Sequence, residues 1–190
     1  RAIWRHLAGG HAVVTIRDMR PPIGARFDNH RKGLEQLAEL FYGEVRLLVE
    51  VGSWKGESAR IFSRWVNQVV CVDSWAVGLP PESPYTMEDV HQEYCRNVAD
   101  LNNVAWLRMP SVDASVLFCD GALDAVYIDA SHQYRNVLAD IRAWMPKVRK
   151  GGILAGHDYD MAGVAQAVYE TIGEPHNTFA DNSWLWRKAA

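Results

Sequence analysis

Two short stretches carry side chains suited to acid–base or metal chemistry, Asp129-Ala130-Ser131-His132 and His157-Asp158. Each follows an apolar run, Ala125–Ile128 and Ile153–Ala155, of the kind that forms a buried strand. If the two strands are neighbours, Asp129, His157 and Asp158 meet at one edge of the sheet. Carboxylates so placed suit a hard divalent ion such as Mg²⁺. An ion there would clamp an acceptor with two vicinal oxygens, lower the pKa of one hydroxyl and orient it. Imidazole in the set shifts the preference from Mg²⁺ toward Mn²⁺, Fe²⁺ or Zn²⁺. An ordinary imidazole changes charge near neutrality, so His132, three residues after Asp129, is a candidate to take the hydroxyl proton as general base. The expected catalytic pair is therefore His132 and Asp129, and the expected metal set is Asp129, His157 and Asp158. Plainer roles compete: Asp129 and His132 at the start of the helix near Tyr134, His157 packed at a turn, Asp158 as a turn former.

A second constellation lies upstream. In Glu50-Val51-Gly52-Ser53-Trp54-Lys55-Gly56 a buried strand runs into a turn and a helix start. Gly52 permits a tight turn, Gly56 permits close approach at the helix start, and the backbone N–H groups between them can hold a carboxylate or phosphate. The spacing is G-x-x-x-G rather than G-x-G-x-x-G, and Trp54 is bulky where a pyrophosphate would need free backbone approach. Asp73 ends the next apolar strand about twenty residues on, where a carboxylate can accept both hydroxyls of a ribose. NAD and S-adenosylmethionine both carry such a ribose.

The elements that must position these residues alternate along the chain. Leu34, Leu37, Ala38 and Phe41 fall at helical spacing over Asn29–Tyr42, and Gly43 ends that helix. Strands are expected at Arg46–Val51, Gln68–Val72, Val104–Leu107, Ala122–Ile128 and Gly152–Ala155. Helices are expected at Glu57–Val66, from about Thr86 to Asp100, and at Val112–Phe118, Tyr134–Lys147 and Ala162–Ile172. This alternation predicts a Rossmann-like α/β three-layer sandwich around a mostly parallel sheet. Two late strands, Asn177–Ala180 and Ser183–Lys188, have only Asp181-Asn182 between them. That spacing allows a hairpin and no crossover helix, so one strand runs antiparallel and the sheet has seven strands. Trp75–Thr86, which contains the polar, proline-rich stretch Gly78–Pro84, reads as a loop over the carboxyl ends of the strands, where ligands bind in such sheets. Residues 1–28, with a short strand at Ala12–Ile16 and a break at Pro21-Pro22, read as an arm or lid, and 29–190 as a single domain.

Five segments in order, EVGSWKGESA, VVCVDSW, LDAVYIDASHQYRNVLADIRAW, KGGILAGHDY and GVAQAV, resemble small class I S-adenosylmethionine-dependent methyltransferases. The resemblance is to the group that includes macrolide and aminocoumarin sugar O-methyltransferases and cephalosporin-hydroxylase-like proteins, and it covers about Leu34 to Arg187. Five parallel strands closed by a terminal hairpin is that class's layout. The resemblance implies S-adenosylmethionine as cofactor. Glu50 would lie near its methionine part with Gly52, Ser53 and Gly56 alongside, and Asp73 would hold the ribose. Ser74 and Trp75 would flank the adenine, Ser111 would lie at its edge, and Asp129 would border the cofactor. It also implies O-methylation of a small hydroxylated acceptor, assisted by Mg²⁺ or Mn²⁺. Those relatives carry an acidic pair where this chain has His157-Asp158, and often a further glycine where Trp54 stands.

Composition narrows the rivals. A length of 190 residues suits one domain with one buried core. A formal net charge of -3 gives no support for nucleic-acid binding. No apolar run is long enough to span a bilayer. Cys71, Cys95 and Cys119 have no C-x-x-C spacing and read as reduced thiols of a cytoplasmic protein. Eight tryptophans and the N-terminal arm are compatible with a homo-oligomer. Two alternative readings stay open, a nicotinamide-dependent oxidoreductase and a non-catalytic nucleoside-binding relative.

Overall fold

A computed structural model describes residues 28–190. The arm or lid expected over 1–28 lies outside the described residues, apart from Asp28, which opens the first helix. The strands are β1 Leu47–Val51, β2 Gln68–Asp73, β3 Val104–Arg108, β4 Leu123–Ile128, β5 Val148–Gly156, β6 Asn177–Thr178 and β7 Trp184–Arg187. The helices are α1 Asp28–Glu39, α2 Glu57–Phe62, α3 Met87–Val98, α4 Ser111–Ser115, α5 Tyr134–Trp144 and α6 Ala162–Ile172. The seven strands lie in the order β3-β2-β1-β4-β5-β7-β6. β1 to β5 are parallel, and β7 runs antiparallel to both β5 and β6. This is the expected Rossmann-like sandwich with its terminal hairpin.

Side chains alternate across the sheet, so each strand feeds two cores. Leu48, Ala125, Tyr127, Ile153 and Ala155 pack under one layer that includes Leu34, Phe41, Phe62 and Tyr94. Val49, Val51, Val126, Ile128 and Leu154 pack under the other, with Val137, Ile141, Trp144, Val164 and Val168. β1, β4 and the end of β5 are buried on both faces, which is why they read as apolar runs rather than alternating ones. Glu50 breaks that run. It shares the face of Leu48 and sits in register between Cys71 and Tyr127.

Several boundaries differ from the periodicity. β5 begins at Val148, four residues before the expected start, because Gly151-Gly152 sit inside it and the pairing with β4 shifts register there. α2 stops at Phe62 and gives way to turns, and α4 is only five residues long. α5 ends at Trp144, where Pro146 forces a single 3₁₀ turn. Residues 74–86 carry neither helix nor strand, as expected for the loop above the strand ends.

Candidate active site

Backbone bonds continue past the strand ends and draw the chemical residues into line. The Gly52 N–H donates to the Val72 carbonyl (2.8 Å), the Asp129 N–H to Val51 (2.7 Å) and the His157 N–H to Ile128 (3.1 Å). The carboxyl ends of β1, β4 and β5 are thereby zipped side by side. Gly52 has φ +89°, and a Cβ there would come within 2.1 Å of the Asp129 carbonyl oxygen. Only glycine lets the turn after β1 and the segment after β4 approach this closely.

At the first strand end Glu50 is fully buried. Burial raises its carboxyl above the ordinary range against the opposing pull of Ser58, Ser53 and Cys71, and the charge of Asp129 adds to the rise. The Cys71 thiol donates to Glu50 Oε2 (3.3 Å), and burial pushes that thiol's own pKa well up. Glu50 Oε1 and Ser53 Oγ have no hydrogen-bond partner among the described residues. Asp73, at the end of β2, is turned onto backbone: it accepts from the Trp54 N–H (3.0 Å) and the Trp75 N–H (2.8 Å). Ser74 follows it, its Oγ near the Ala76 N–H. Trp75 is only 2% exposed and packs on His91, Tyr94 and Trp106, so what it offers a ligand is backbone rather than ring. Ser111 opens α4 with its hydroxyl accepting from the Trp144 indole N–H (2.9 Å). Gly56, φ +81°, starts α2 against Tyr94.

The acid–base residues gather at the ends of β4 and β5. His132 Nε2 lies 2.7 Å from Asp158 Oδ2, with His132 about half exposed. Donor atoms of Asp129, His132 and Asp158 all fall within 4.8 Å of one another, close enough to share one ion. Two carboxylates and an imidazole fit a divalent cation, and the imidazole favours Mn²⁺ or a later metal over Mg²⁺. His157 stands behind this trio rather than in it. It is 8% exposed, with Nδ1 3.0 Å from Asp158 Oδ1 and 3.9 Å from Asp129 Oδ1. Burial pulls its pKa down, but the hydrogen bond to Asp158 and the charges of Asp129, Asp158 and Asp181 outweigh it, so the net shift is upward. Asp158 adopts φ +56°, a left-handed conformation that aspartate tolerates better than most side chains.

Two neighbours of these residues, Asp181 and His30, were not among the catalytic, cofactor or metal residues expected from the sequence. Asp181, wholly buried in the β6–β7 turn, faces His157 Nε2 at 3.7 Å while accepting from the Ser183 N–H and hydroxyl. His30 of α1 sets its ring edge-on to His157, centroids 5.5 Å apart. α1 comes this close because Gly33 has no side chain: a Cβ there would stand 2.1 Å from Asp181 Oδ1.

Residues 49–159 match a family model described as a methyltransferase domain. An uncharacterized protein of Acanthamoeba polyphaga mimivirus is 24% identical over 146 residues, a match taking in 72% of this chain and 62% of that protein. The chain thus spans a little under two thirds of that curated relative's length. Among solved structures, the N-methyltransferase NodS from Bradyrhizobium japonicum, in complex with S-adenosyl-L-homocysteine, is similar at TM-score 0.60. It is 12% identical, with 88% of this chain and 90% of that chain covered. Cofactor-bound Rv0187 from MTB is similar at TM-score 0.59, 18% identical, covering 87% and 82%. A Klebsiella pneumoniae protein with a provisional O-methyltransferase assignment also gives 0.59, 18% identical, covering 89% and 84%. At these identities the likeness establishes the fold. No helix among the described residues is long and apolar enough to cross a membrane.

Proposed function

The chain belongs to the methyltransferase domain family, and from that premise we propose that it moves a methyl group from S-adenosylmethionine to an oxygen of a small hydroxylated acceptor. The observation that carries this reading is the His132–Asp158 pair, 2.7 Å apart at the strand ends beside the Gly52 turn. When bound, S-adenosylmethionine supplies the methyl group and departs as a neutral thioether. The Gly52–Gly56 turn and Asp73 would hold its amino-acid and ribose portions.

The chain's own part is to make the acceptor oxygen nucleophilic and aim it. An imidazole that donates from Nε2 to Asp158 carries its lone pair on Nδ1, and that atom can accept the acceptor's hydroxyl proton. Asp158 fixes the ring and its tautomer and stabilises the imidazolium that forms, as a buried carboxylate does for any histidine base. His157 braces Asp158 from behind, and Asp181 faces His157. Much of the rate would come from holding donor and acceptor in line. A divalent cation held by Asp129, Asp158 and His132 would lower the pKa of a coordinated hydroxyl. The segment 74–86 and the β6–β7 turn border the strand ends and are the candidates for acceptor contacts.

The test is a split between binding and turnover. In His132→Asn, methyl transfer to a panel of sugar and phenol acceptors should fall by roughly 10²–10⁴-fold. Affinity for S-adenosylhomocysteine should stay within a factor of about two, since His132 lies outside the turn that would hold it. Turnover unchanged in that variant would remove the base role.

A further inference from the structure

We infer that Trp75 is a positioning residue for the cofactor turn, acting through its indole N–H rather than by stacking on a ligand. The inference rests on the cofactor reading above. Trp54, in the middle of the turn, has φ +46°. A bulky residue holds that left-handed conformation only where its surroundings enforce it. Here the Trp54 N–H donates to Asp73 Oδ2 (3.0 Å), and the Trp75 indole Nε1–H donates to the Trp54 carbonyl (2.8 Å). One bond fixes the peptide unit before the Trp54 Cα and the other fixes the unit after it. Between them they set both of its soft dihedrals.

Asp73 closes the arrangement into a clasp, because its second oxygen accepts the Trp75 N–H (2.8 Å). Trp75 is itself left-handed, φ +43°, which turns its ring inward. The ring lies among His91, Tyr94 and Trp106, with centroids at 4.6, 4.8 and 6.1 Å. The Trp54 ring goes the other way and lies over Gly78, where a Cβ would stand 2.9 Å from it. The turn therefore presents Trp54 as backbone, with its side chain folded out. In a G-x-G-x-x-G turn a glycine reaches such a conformation unaided. This chain reaches it with a tryptophan tied down from 21 residues away.

Trp75→Phe keeps an aromatic ring in the box and removes only the donor. 3-Benzothienylalanine at position 75 keeps the full bicyclic shape without the N–H, and serves if the phenylalanine variant folds poorly. S-adenosylhomocysteine is titrated by calorimetry, and exchange of the Trp54 amide hydrogen is followed by NMR. We expect the Kd to rise roughly tenfold and the Trp54 amide to exchange faster by a similar factor, the worth of one hydrogen bond. Adding Trp54→Gly to Trp75→Phe should bring the Kd back to within about threefold of the unaltered chain, since glycine needs no tether. Unchanged affinity and exchange in Trp75→Phe would overturn the inference. A loss that Trp54→Gly does not restore would overturn it too, and assign Trp75 to packing alone. If the unaltered chain binds no S-adenosylhomocysteine while Trp75→Phe still speeds Trp54 exchange, the cofactor reading falls and only the clasp stands.

Discussion

His132 Nε2 and Asp158 Oδ2 lie 2.7 Å apart, and a cation bound between Asp129, His132 and Asp158 would take over the atoms that make this contact. The two proposed uses of this donor set, a hydrogen-bonded base and a metal cradle, would compete for the same lone pairs. Binding of an ion to the folded state alone raises stability by mass action, by about 2.7 kcal/mol at a hundredfold excess over Kd. For a domain of this size that is a rise of several degrees in melting temperature. We predict such a rise with Mn²⁺, larger than with Mg²⁺, and its loss in Asp129→Ala. A melting temperature indifferent to Mn²⁺, or a shift that survives Asp129→Ala, would remove the metal from the account. At this scale the sequence announced residues that end strands. Asp129, His132, His157 and Asp158 follow apolar runs, and parallel pairing of β4 with β5 does bring them together. It could not announce Asp181 or His30, whose part depends on a helix and a hairpin meeting across Gly33. Nor could it say that His157 would stand behind the trio rather than within it.

At the scale of elements, the opposite end of the sheet shows how the site's strands are held parallel. Asp124, near the start of β4, accepts the Arg46 and Leu47 N–H groups through Oδ2 (2.9 and 3.0 Å) and Arg149 Nε through Oδ1 (2.7 Å). One carboxylate so ties the entry of β1 to β4 and to β5. Burial alone would raise its pKa, but the Arg149 guanidinium and the two backbone donors outweigh it, and the folded value lies below the ordinary carboxylate range. The unfolded value is near 3.9. The resulting stability is therefore complete above about pH 4 and is lost as pH falls through the folded pKa. Asp124→Asn should cost about 1.5–3 kcal/mol at pH 7, the worth of hydrogen bonds to a charged acceptor. It should also flatten the acid limb of the stability curve below about pH 4. Urea unfolding at pH 7, 4 and 3 reads both; an equal loss at all three would contradict the electrostatic account. The strands themselves were legible because two-sided burial makes them apolar throughout. The early start of β5 was not, because Gly151-Gly152 interrupt the run and backbone bonds to Lys188, just past β7, carry the strand through them.

Across the whole molecule, chain order maps onto function through the strand order β3-β2-β1-β4-β5-β7-β6. β1 and β2 bring the glycine turn and Asp73 to one half of the carboxyl edge, and β4 and β5 bring the acid–base residues to the other. The direction of the chain reverses only after α6, where the five residues between β6 and β7 leave no room for a crossover helix. That constraint is geometric, which is why the hairpin could be read without coordinates. The acceptor could not be read, because the segments proposed to contact it, 74–86 and the β6–β7 turn, take shapes that no periodicity encodes. The central claim is the cofactor class, and calorimetric titration of the unaltered chain with S-adenosylhomocysteine and, separately, NADH tests it most directly. The account predicts saturable binding of S-adenosylhomocysteine and none of NADH. Binding of NADH alone, or of neither, would contradict it.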